Sequence, residues 1–88
     1  MRYTIQIHRK DERVELISPV FTRIRSISYW IWKNVDDKDN ISEVTVLRLR
    51  ADGKRTIHGF YDWTGDRLRL NRETPVFVHN VLYDLITS

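Results

Sequence analysis

Eighty-eight residues, 41% hydrophobic and 31% charged, suffice for one small domain with a single core and are too few for a second. The formal net charge is +3, from fifteen Lys and Arg against twelve Asp and Glu, and there is no cysteine. Disulfide stapling and thiolate zinc sites are thereby excluded, and the composition leans toward a reducing cytoplasm. No apolar run is long enough to span a membrane, and the opening MRYTIQIHRK alternates rather than forming a signal peptide, so a soluble cytoplasmic protein is expected.

In residues 2–9, Tyr3, Ile5 and Ile7 fall on one face and Arg2, Thr4, Gln6 and His8 on the other, the pattern of a half-buried strand. RVELI, 13–17, alternates again through Val14 and Leu16 and can pair back over Lys10-Asp11-Glu12, a turn without Gly, Asn or Pro. Ser18-Pro19 reads as a helix entry, serine capping and proline at the first helical position. A helix over 19–34 follows, with Val20, Ile24, Ile27, Ile31 and Val35 as one apolar stripe. The acidic loop DDKDNISE, 36–43, ends it.

VLRLRADGKRTIHGFYDW, 46–63, has the rhythm of a β-hairpin. A three-residue Ala51-Asp52-Gly53 loop with glycine at the left-handed position pairs Arg50 with Lys54, Arg48 with Thr56 and Leu47 with Ile57. Leu47, Leu49, Ile57 and Tyr61 then share the core face, while Arg48, Arg50, Lys54 and His58, with Val44, Val46 and Phe60 further from the tip, share the outer one. Residues 62–66 form the next turn. RLRL, 67–70, adds a strand that directs Arg67 and Arg69 outward. Thr74-Pro75 opens a second helix running to about 87 along Phe77, Val78, Val81 and Leu85.

These elements predict a single α+β domain over 1–88: a two-layer sandwich with an antiparallel sheet of four to five strands and two helices on one face, in the order β(β)αβββα. The opposite sheet face is left open. Arginine outnumbers lysine eleven to four, a bias that suits phosphate, carboxylate and aromatic surfaces. On that face Arg48, Arg50, Lys54, Arg67 and Arg69 are expected to hold phosphates while His58 and Phe60 stack bases. The plainer reading is a solvated face that blocks edge pairing.

YWIW, 29–32, is the second candidate. On a helix Trp32 falls on the flank nearest Phe21 and Trp30 on the other, close to Arg23, with Tyr29 nearly opposite the stripe. Arg23, Tyr29 and Trp30 are therefore the expected protein interface. Catalysis finds little support, because His8, His58 and His79 have no metal-ligand spacing and no P-loop or GxGxxG is present. No catalytic residue, metal or cofactor is assigned. The expected partners are nucleic acid, DNA or RNA, or an acidic protein surface, with a homodimer seam as another use of the open face and no membrane.

Overall fold

A computed structural model of the protein describes residues 1–71. Five strands and one α-helix follow one another along this span: β1 (Arg2–Arg9), β2 (Val14–Phe21), α1 (Ile24–Asn34), a short 3-10 turn (Lys38–Asn40), β3 (Ile41–Leu49), β4 (Arg55–Trp63) and β5 (Leu68–Leu70). The strands form one antiparallel sheet in the order β2-β1-β3-β4-β5. The α+β class and the antiparallel sheet are those expected. The second helix expected from Thr74-Pro75 lies outside the described residues.

Helix α1 lies on one sheet face. Ile27 and Ile31, four residues apart and thus on one side of the helix, are fully buried in a core with Tyr3, Ile5, Ile7, Phe21, Val44 and Val46. Burying each of these isoleucines contributes about 1.5–3 kcal/mol. Val35 closes the stripe, its N–H donating to the Ile31 carbonyl at 3.0 Å.

The helix starts later than expected. Residues 18–21 belong to β2, and Ser18-Pro19 is strand rather than helix entry. Strand β2 is a sheet edge, where a proline is tolerated because one side of the strand needs no partner. The β1–β2 register shifts between Tyr3↔Phe21 and Ile5↔Ile17, so residues 18–20 form an irregularity in the ladder. Val20, assigned to the helical stripe, is an exposed strand residue. The β1–β2 turn dispenses with glycine by holding Glu12 at φ 73°, while the Asp11 carboxylate accepts from the Arg13 N–H at 3.2 Å.

The second correction concerns the faces. The hairpin has the expected register near its tip, with Leu47↔Ile57 and Arg48↔Thr56, and Gly53 takes φ 85°. Between Leu47↔Ile57 and Val46↔Gly59, however, His58 is an extra residue, and the pairing face of β4 switches there. Val44, Val46 and Tyr61 thus lie under α1, whereas Thr45, Leu47, Ile57 and Phe60 lie on the opposite face. That face is not open: Leu47 is 0%, Gln6 1%, Thr45 2% and Phe60 4% exposed.

Candidate nucleic-acid interface

Strand directions sort the charges. Strand β1 begins, β3 ends and β4 begins at the same end of the sheet, where Arg2, Leu49 and Arg55 are aligned across three strands. Arg48, Arg50 and Lys54 flank the hairpin tip there, all exposed. Arg23, the N-cap of α1, lies two residues beyond Phe21, which pairs with Tyr3 beside Arg48, and so joins this end. Arg23 occupies the N-cap position without a side-chain cap, and the first helical turn carries no acidic residue. The free N–H groups of that turn add partial positive charge to the arginines.

Among the described residues, Asp52 is the one carboxylate at this end. It is tied into the turn, accepting from the Lys54 N–H at 3.0 Å, and stands 3.5 Å from the Arg50 guanidinium. Both side chains of that pair are about half exposed, so it neutralises little. Carboxylates gather instead at the far end, with Asp11, Glu12 and Glu15 around the β1–β2 turn, Asp36, Asp37 and Asp39 between α1 and β3 and Glu43 early in β3, but they are interleaved there with Arg9, Lys10, Arg13 and Lys38. Among the described residues, one end of the sheet is thus predominantly cationic and the other mixed in charge.

Of the residues expected on one basic face, Arg48, Arg50, Lys54 and His58 come together. His58, the bulged residue, meets the Tyr3 ring edge-on at a centroid distance of 5.1 Å, which places it on the α1 side next to Arg48. Phe60 is buried on the other face and has no exposed ring to offer a base. Arg67 and Arg69 are exposed but lie at the β4–β5 end, Arg67 beside Asp66 at 3.5 Å and Arg69 paired with Asp62 across the strands. Arg2, Arg23 and Arg55 take their places. Arg2 and Arg55 stand at opposite ends of the local sequence, and only the strand register brings them onto one row.

The aromatic helix residues are also exchanged. Trp30 is half-buried, packed edge-to-face on Phe21 with centroids 5.9 Å apart, and closes the core. Trp32, not Trp30, is exposed at 52%, beside Tyr29 at 61% with ring centroids 6.4 Å apart. The Lys33 ammonium sits 5.8 Å from the Tyr29 ring. Arg25, Ser28, Tyr29, Trp32 and Asp66 line a shallow groove between α1 and the β4–β5 turn. His58 and Asp62 lie on opposite sheet faces, and among the described residues no group of three or more His, Asp or Glu is suited to a metal.

No helix among the described residues is long and apolar enough to cross a membrane. Compared with protein-family models, curated proteins and solved structures, the chain matches none.

Proposed function

We propose that the protein is a non-enzymatic, cytoplasmic nucleic-acid-binding regulator or accessory factor that grips the phosphate backbone with the basic end of its sheet. The observation that supports this most is the segregation of charge, with Arg2, Arg23, Arg48, Arg50, Lys54 and Arg55 at the end where α1 also begins. An end that holds six cations against one carboxylate, opposite an end of mixed charge, orients an approaching polyanion and accelerates encounter. Arginine forks hold phosphate oxygens, and His58, exposed beside Tyr3, offers a ring for a base to stack on.

Replacing Arg48 and Arg50 together by alanine removes two phosphate contacts. The slope of log K against log salt should then flatten by roughly 1.4–1.8. Arg67→Ala with Arg69→Ala, at the other end, should leave affinity and slope near wild type. Equal losses from the two pairs, measured by fluorescence anisotropy, would refute a localised interface.

A second reading, a protein-interaction module, is favoured by the exposed Tyr29 and Trp32 pair. Aromatic side chains of this kind anchor protein interfaces. There Trp32→Ala should abolish partner capture with the fold intact, while Trp30→Ala should chiefly lower stability.

A further inference from the structure

Helix α1 has no acidic residue, and its outward side alternates cation and aromatic ring: Arg25, then Tyr29 four residues on, then Trp32 and Lys33. All four side chains are exposed, whereas every other described Phe, Tyr and Trp is buried or half-buried. The row starts in the first turn of α1, at the cationic end of the sheet, and leads away from it along the helix. Beside it runs the groove toward the β4–β5 turn, about 480 Å³ in volume, the size of a small-ligand site. The Leu68 N–H donates to the Ser28 hydroxyl oxygen at 3.1 Å, which pins α1 to the start of β5 and fixes the floor of the groove. Asp66 is the carboxylate in the lining, and the Arg67 guanidinium stands 3.5 Å from it, so the rim has no net negative charge.

We propose that Tyr29 and Trp32 form a stacking platform for unpaired bases, which makes a single strand rather than a duplex the nucleic acid that the protein takes. This rests on the nucleic-acid reading above and adds to it the strand type and a second contact surface. In a duplex the base faces are covered by their neighbours, so exposed rings gain nothing from it beyond what the cations gain from its phosphates. An unpaired strand meets both parts of the row at once. Its bases lie on the two rings, 6.4 Å apart between centroids, and its phosphates meet Arg25 and Lys33 on either side. Because every base has a π-face, the platform is tolerant of sequence.

The test compares short oligo(dT) and oligo(U) with a duplex of the same length, binding the full chain across a salt series followed by anisotropy. The single strands should bind more tightly than the duplex at every salt concentration. Trp32→Leu and Tyr29→Leu, both at exposed positions and checked for unchanged unfolding midpoints, should each weaken the single strands about fivefold or more. They should leave duplex affinity and both salt slopes as in wild type, because no phosphate contact is lost. Trp32→Phe, which keeps a ring, should retain most of the affinity. Oligo(dT) should quench tryptophan fluorescence in the wild type and not in Trp32→Leu, since Trp30 and Trp63 are half-buried. Duplex binding as tight as single-strand binding, or undiminished oligo(dT) affinity in folded Trp32→Leu, overturns the platform, leaves the phosphate grip of the basic end standing and returns the two rings to a protein partner. Absence of binding to either strand type removes the platform and the grip together.

Discussion

Three side chains of β1, Gln6, His8 and Arg9, carry polar chemistry into the interior. The His8 imidazole Nε2 lies 3.0 Å from the Thr45 hydroxyl, and burial lowers its pKa from the ordinary 6.5. The unfolded chain therefore takes up this proton at a higher pH than the folded one. The contribution of His8 to stability is complete above pH 6.5 and drains away as the pH falls from there through the lower folded-state value. Urea unfolding at about pH 7.5 and about pH 5.5 should show the loss, and His8→Gln should reduce it. A wild-type midpoint unchanged between the two would contradict the assignment. Next along the strand, Arg9 has a side chain only 5% exposed and donates to Glu15 Oε1 at 2.8 Å and to the carbonyls of Asp37 and Asp36 at 2.7 and 3.0 Å. One guanidinium thus ties β2 and the loop after α1, in which Asp37 holds φ 51°, to β1. Arg9→Ala leaves a carboxylate and two carbonyls without their donor and should cost about 2–3 kcal/mol in denaturant unfolding. Nothing in the alternation of 2–9 distinguishes Arg9, Gln6 or His8 from exposed polar residues, because that pattern assumes one wet face.

At the scale of elements, apolar spacing was a good guide wherever one period held. The hairpin register follows from placing Leu47, Leu49 and Ile57 on one face, and the structure has that register up to the bulge. Beyond it the alternation breaks: Ile57 and Phe60, three apart, share a face only because His58 is extra. The Ser18-Pro19 pair is ambiguous by nature, since proline suits both a first helical turn and an edge strand. The two-residue period of Val14 and Leu16 breaks at Ile17 and Ser18, so alternation carries no signal that the strand continues to Phe21. The N-terminus of α1 is an element built against its own stability. Arg23 has the extended φ −139° and ψ 141° of an N-cap but no capping oxygen. Arg23→Asp should supply one and raise stability by about 1 kcal/mol in thermal or urea unfolding. By removing a cation from the basic end it should also weaken nucleic-acid binding. Stabilisation without loss of affinity would separate the helix terminus from the interface.

The described residues form a sheet under one helix, with a predominantly cationic end and apolar side chains buried on both faces. Composition predicts neither feature, because a net charge of +3 is the same whether the charges are mixed or segregated. Antiparallel order does the sorting by returning the start of β1, the end of β3 and the start of β4 to one end. The arginine-rich hairpin was legible as a surface. Its true companions, Arg2, Arg23 and Arg55, became visible only through strand pairing. The most direct measurement is the wild-type affinity for labelled single- and double-stranded DNA and RNA across a salt series. Several arginines gripping phosphates should give log K falling linearly with log salt, with a slope of roughly −3 to −5 on the preferred strand. Absence of binding at low salt, or a slope near zero, would contradict the basic end as a nucleic-acid interface.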